Sequence, residues 1–307
     1  MLHLIAGHIY AQEKNGDKDD GQKKFADELK HIRDSLALVS PLVPAVSSII
    51  LHKDQVEIIL FNSLLTANQY FDDHGNRNNG AQRASYFYST VQAMYGVSKT
   101  DRFNVGLDLN TSFGRIDQNR NSSPFAVFGH KTTGNNYEAK AVTSFGPRFR
   151  WRPFKKTYRF TVQGGVDFPT GISTSSEGVL GLNRIYANAQ LLYNQPISKR
   201  LFFFSQLTVE YGFKREYYPP VAYTPVSGFL SYYIPEKIIL FALINYEPVF
   251  TKGDSWSKTA STAQLGAGLQ YQVSHRVLVN GYYAKNAFGT NYQFFSNYNI
   301  GMRFASK

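Results

Sequence analysis

Eight consecutive side chains near the C-terminus divide by parity. Tyr298, Ile300, Met302 and Phe304 fall on one face of an extended chain, and Asn297, Asn299, Gly301 and Arg303 on the other. Successive residues of a strand point to opposite faces, so this stretch reads as a strand with one apolar and one polar side. The pattern recurs. Phe103, Val105, Leu107, Leu109 and Phe113 oppose Asn104, Gly106, Asp108, Asn110 and Ser112. Tyr158, Phe160, Val162, Val166 and Phe168 oppose Arg159, Thr161, Gln163 and Asp167, and Ile185, Ala187, Ala189, Leu191 and Tyr193 oppose Arg184, Asn188, Gln190 and Asn194. No apolar run reaches the roughly 18 to 20 residues that a spanning helix needs. If this chain meets lipid, it does so with every second residue of a sheet.

From Gln55 onward the chain alternates strand and connection. Twelve segments are predicted as strands: 56–69, 84–97, 102–114, 137–151, 157–168, 184–195, 201–213, 224–234, 237–247, 260–272, 276–287 and 293–304. The connections at 98–101, 152–156, 197–200, 235–236 and 274–275 are short, and those at 70–83, 115–136, 169–183, 214–223, 248–259 and 288–292 are generally longer. Short turns on one side and longer loops on the other are what a transmembrane barrel produces. A large soluble β-sandwich with Greek-key crossings, the competing reading, has little reason to do so. The expected fold is therefore an all-β membrane protein: a closed antiparallel up-and-down transmembrane β-barrel of about 12 strands, preceded by a short amphipathic helix. An even number puts both chain ends on the short-turn side.

Composition is consistent with this. Of the 307 residues 43% are hydrophobic, with 21 Tyr and 24 Phe, yet mean hydropathy is −0.32. Apolar surface must then come from alternation, with the aromatics in strands and interfacial girdles. The absence of cysteine excludes disulfides, thiolate metal sites, cysteine nucleophiles and a lipid-bearing N-terminal cysteine. The formal charge of +11 is scattered rather than blocked. It acts as a field on anionic partners such as lipopolysaccharide, and nucleic acid is not expected as a partner.

Residues 1–11 resemble the remnant of an export signal, with a short apolar core and Ala11 before Gln12. Residues 12–54 form a polar segment followed by one helix, on whose single face Phe25, Leu29, Ile32, Leu36 and Val39 recur. Pro41 and Pro44 end it. The helix either fills the barrel, rests against its rim, or docks on a periplasmic or outer-membrane protein partner. Residues 55–304 form the barrel.

The polar rows define candidates for the lumen: Asp108, Lys140, Arg148, Arg150, Arg159, Asp167, Arg184, Glu210 and Arg303. Arg148, Arg150 and Arg159 cluster beside the RPFKK turn, whose Arg152, Lys155 and Lys156 make the periplasmic mouth basic. A ring of this kind favours anions. Mutual neutralisation across a plugged lumen is the structural alternative. Asp72, Asp73 and His74 could hold a surface cation, although a Gly/Asn-rich tip reads first as turn chemistry. No cofactor or metal is expected.

The apolar alternation ending in an aromatic, Tyr298, Ile300, Met302 and Phe304, resembles the terminal signal by which Gram-negative outer-membrane barrels are recognised by barrel-assembly machinery. The EIILFNSLLTANQYFDDHGN opening and the VEYGF and GLQYQV strands resemble transporter- and porin-like barrels of Bacteroidota. These are loosely similar to a family of outer-membrane channels linked to aromatic-compound degradation. The resemblance implies a location in the bacterial outer membrane and passive uptake of small polar or anionic solutes. The alternatives are a non-conducting scaffold subunit of a secretion or assembly complex, and an outer-membrane lipid-modifying enzyme. Outer-membrane phospholipase, also a twelve-stranded barrel, needs His and Ser two apart on the lipid face. The nearest approach here, His130, Lys131, Thr132, departs from that pattern, so the chain is not expected to be an enzyme.

Overall fold

The computed structural model describes residues 48–129, 137–154, 157–173, 176, 179–180, 183–215, 218–234 and 237–306. The export-signal remnant, the helix of Phe25, Leu29, Ile32, Leu36 and Val39, and His130, Lys131, Thr132, Lys155 and Lys156 lie outside the described residues.

The strands are β1 (Val56–Phe71), β2 (Arg77–Gly96), β3 (Phe103–Asp117), β4 (Tyr137–Trp151), β5 (Phe160–Pro169), β6 (Tyr186–Pro196) and β7 (Leu201–Gly212). They continue as β8 (Val221–Tyr223), β9 (Val226–Ile234), β10 (Ile238–Lys252), β11 (Trp256–Gln272), β12 (Val277–Thr290), β13 (Tyr292–Gln293) and β14 (Ser296–Ala305). Strands adjacent in the wall pair antiparallel, and β1 pairs with β14 from Glu57 opposite Ala305 to Thr66 opposite Ser296, which closes the sheet. β8 and β9 both lie between β7 and β10 and form one wall strand interrupted at Thr224 and Pro225. β13 and β14 likewise make one strand along β1. The wall is thus a closed barrel of twelve strands, and closure removes the exposed edges that an open sheet of this size would present.

Parity sets the two faces as expected. Leu107 is 63% exposed and its neighbour Asp108 is 3% exposed. Tyr298, Ile300, Met302 and Phe304 are all exposed on the outer face, while Asn299 and Arg303 are buried. Two expected loops shrink. The segments 70–83 and 248–259 are largely strand, with connections only at 72–76 and 253–255. Toward this end of the barrel the residues are polar on both faces, so the apolar period fades while backbone pairing, which needs no apolar side chain, continues.

The ladder slips at four places, by three residues at the first and by one at each of the others. These are between Ala67 and Gln69, at Asn110/Thr111, at Val249/Phe250 and at Ala263/Gln264. All four lie in the half of the wall near the longer loops, where bulges increase twist and re-aim side chains.

Candidate functional site: the barrel interior

Near the short-turn end the lumen is crossed by an ionic ladder. Glu57 of β1 is fully buried between two guanidiniums: Arg150 Nη1 donates to its Oε1 at 2.8 Å and Arg303 Nε to its Oε2 at 2.6 Å. Arg150, also fully buried, donates further to Gln163 Oε1 (2.8 Å), Gln92 Oε1 (3.2 Å) and the carbonyl of Ile49 (2.6 Å). Gln92 Nε2 donates to Asp108 Oδ1 at 3.0 Å, and Asp108 pairs through its other oxygen with Arg148. Arg148 Nη1 reaches Asn188 Oδ1 at 2.7 Å, and Asn188 Nδ2 donates to Asp167 Oδ2 at 3.0 Å. Buried charges persist only when paired and hydrogen-bonded, and Glu57, Asp108, Arg148, Arg150 and Arg303 meet both conditions, whereas Asp167 joins the network through the amides of Asn188 and Asn110 alone.

The chain ahead of β1 enters the same end. Ser48 accepts bonds from Thr161 Oγ1 (2.9 Å, to its carbonyl) and Asn194 Nδ2 (3.0 Å, to its hydroxyl). Leu51, only 3% exposed, donates its N–H to Asn104 Oδ1 at 2.9 Å and accepts Asn104 Nδ2 at 3.0 Å. These partners sit at the short-turn ends of β3 to β6. A Cβ on Gly96 would lie 1.8 Å from the His52 carbonyl, so glycine there admits the strap. Ser48 to His52 therefore runs inside the mouth, and together with the ladder it forms a floor.

The opposite side of the floor is apolar. Leu192, Phe204, Phe229, Phe241, Leu243 and Ala284 form a buried cluster inside the wall, joined by Tyr282. β10 is apolar on both faces for this reason: Ile239, Phe241 and Leu243 fill the interior while Leu240 and Ile244 are exposed outside. The interior here is apolar, because a lumen sealed by packing needs no water-facing side chain.

Above the floor the interior row becomes tyrosine and carboxylate. Asp167 stands opposite Tyr186, Asn188 opposite Glu210, and Glu210 opposite Tyr223. Glu247 lies next along β10 and accepts Tyr292 Oη at 3.0 Å. Val179 and Leu180 of the β5–β6 connection pack on Tyr86, Ala139 and Ala141, and Gly114 leaves room for them, since a Cβ there would meet Val179 at 2.6 Å. These contacts place part of that connection in the lumen as a roof.

Six of the nine lumen candidates, Asp108, Arg148, Arg150, Asp167, Glu210 and Arg303, face the interior. Three do not. Lys140 is on the outer face, because the extra residue Thr143 in β4 inverts parity between Ser144 and Val142. It pairs with Glu138 at 2.7 Å and donates to the Gly129 carbonyl at 2.8 Å. Arg159 is exposed ahead of the first residue of β5, at the short-turn rim. Arg184 precedes β6 at the other rim, where Nη1 donates to the Pro219 carbonyl at 2.9 Å. Glu57 was hidden from the pattern by the apolar run Ile58 to Phe61 beside it.

Asp72, Asp73 and His74 do cluster, in the β1–β2 turn. Asp72 accepts the backbone N–H groups of His74 (3.0 Å) and Asn76 (2.8 Å) and the amides of Asn76 and Asn78 (both 3.1 Å). Desolvation acts to raise its pKa, but these donors together outweigh that and hold the carboxyl below its ordinary value. The group is built as a turn.

No protein-family model and no curated protein matches the chain. Solved structures do match. An outer membrane channel from Pseudomonas putida F1 is similar with a TM-score of 0.63 at 9% identity, over 84% of this chain and 98% of that one. The β domain of the Bordetella autotransporter Brka is similar with a TM-score of 0.53 at 9% identity, over 83% of this chain and all (100%) of that one. At such identity the likeness is one of fold: this chain has the architecture of outer-membrane β-barrels.

Proposed function

We propose that this chain is a channel or transporter of the bacterial outer membrane that passes small polar solutes through its lumen. One observation carries the reading: every strand of the closed wall presents large exposed apolar side chains outward, around an interior that holds the buried charges. Monomers in water rarely leave apolar patches larger than a few hundred Å², and a belt around a whole barrel far exceeds that. Hydrocarbon is the solvent such a belt fits. The terminal row Tyr298, Ile300, Met302 and Phe304 would serve insertion by the barrel-assembly machinery, and the rims would meet lipid and lipopolysaccharide. The role is transport rather than catalysis.

The arginines do not support an anion preference, since Arg148 is neutralised by Asp108, and Arg150 and Arg303 share Glu57. The strap and ladder support a resting state closed at the short-turn end. Single-channel recording tests this on the full chain and on a variant beginning at His52. The variant should conduct and the full chain should be closed or nearly so; two silent proteins would leave a non-conducting scaffold as the better account.

A further inference from the structure

The chamber between floor and roof has an unbalanced charge. In the ladder Arg148, Arg150 and Arg303 face Glu57 and Asp108, which uses the interior cations almost completely. Asp167, Glu210 and Glu247 then stand on β5, β7 and β10 with no ion pair of their own among the described residues; the interior cation that acts on Asp167 and Glu210 is Arg148, which is already paired with Asp108. Glu210 senses the charges of both Asp167 and Glu247, so the three share one field.

Three tyrosines complete the enclosure. Tyr186 and Tyr223 alternate with the carboxylates along adjacent strands, and Tyr88 of β2 faces them across the lumen closely enough to interact with Tyr223. Tyr186 is more than nine-tenths buried, yet neither its hydroxyl nor the Glu210 carboxylate has a hydrogen-bond or ion-pair partner among the described residues. Glu210 is half-buried, and a carboxylate that lines a narrow lumen without a donor or a paired cation is stabilised by a ligand carrying positive charge. A metal ion does not fit, because these carboxylates do not converge: the one group of three ligating residues within 4.8 Å of each other among the described residues is the Asp72 turn. Carboxylates spread around tyrosine rings match an extended cation, which the negative ring faces also attract.

We propose that this chamber binds a small organic cation of the alkylammonium class, held by Asp167, Glu210 and Glu247 against Tyr88, Tyr186 and Tyr223. The inference deepens the transport reading by naming the solute class, but its test does not depend on conduction. Calorimetric titration of the full chain in detergent compares choline with 3,3-dimethylbutan-1-ol, its neutral isostere. Choline should bind about tenfold or more tightly than the alcohol, with an affinity that falls as salt is raised. Glu210→Gln with Glu247→Gln should reduce choline affinity about tenfold and leave the alcohol unchanged. Tyr223→Leu, which leaves the carboxylates in place, should weaken choline several-fold by roughly the loss of one ring contact, so the site remains testable if the double variant does not fold. Equal binding of the two probes, salt-insensitive binding, or no choline binding overturns the proposal. Choline binding to a protein that never conducts would refute the channel and keep the site, and conduction without choline binding would do the reverse.

Discussion

Glu57 holds the floor together, because it is the single carboxylate for two buried guanidiniums. Replacing it with Gln leaves Arg150 and Arg303 inside the wall without a counter-charge, and breaking a buried pair from one side costs roughly 3 to 5 kcal/mol. Glu57→Gln should therefore unfold at distinctly lower temperature in detergent, followed by circular dichroism. Adding Arg303→Gln should recover part of the loss, since one of the two stranded charges is removed. An unchanged melting temperature in Glu57→Gln would show that the ladder is not structural. Side-chain parity made Asp108, Arg148, Arg150 and Arg303 legible as interior residues. It could not reveal which of them pair, because pairing joins strands as far apart in sequence as Glu57 and Arg303, whose register no local pattern encodes.

At the scale of the element, position within a strand was readable and phase was not always so. All twelve wall strands fall where alternation and turn residues place them, since lipid-facing rows repeat every second residue. One inserted residue defeats that logic. On the N-terminal side of Thr143 the polar residues Glu138 and Lys140 turn outward and Ala139 and Ala141 turn inward, an inversion that a count of apolar residues over so short a segment cannot register. Because the chain has no cysteine, single cysteines report the phase directly. Lys140→Cys should react rapidly with a bulky impermeant maleimide, whereas Ala139→Cys, packed under Val179 and Leu180, should react far more slowly. Equal rates would mean that β4 keeps one phase throughout. The strap at Ser48 to Leu51 escaped notice for a related reason: four residues are too few to show a period, and their hydrogen bonds are mostly made by partners on β3 to β6.

For the whole molecule the formal charge of +11 is a poor guide to what the lumen selects. Interior rows of the described strands carry five carboxylates, Glu57, Asp108, Asp167, Glu210 and Glu247, against three guanidiniums, Arg148, Arg150 and Arg303, leaving two negative charges inside a protein that is positive overall. Among the described residues, Lys and Arg outside these rows lie on rims and outer surfaces, where water and salt screen them within about 10 Å at 0.1 M. Fixed charge along a narrow path acts on a permeating ion at close range, so the interior sum decides selectivity. The form beginning at His52, under a potassium chloride gradient, should accordingly show a reversal potential displaced toward the potassium equilibrium value. Glu210→Gln with Glu247→Gln should move it back toward zero, because the interior sum then vanishes, and Arg159→Gln at the short-turn rim should barely change it. A wild-type lumen that instead favours chloride would mean the ladder opens on conduction and frees its arginines, returning the basic mouth that the sequence alone suggests.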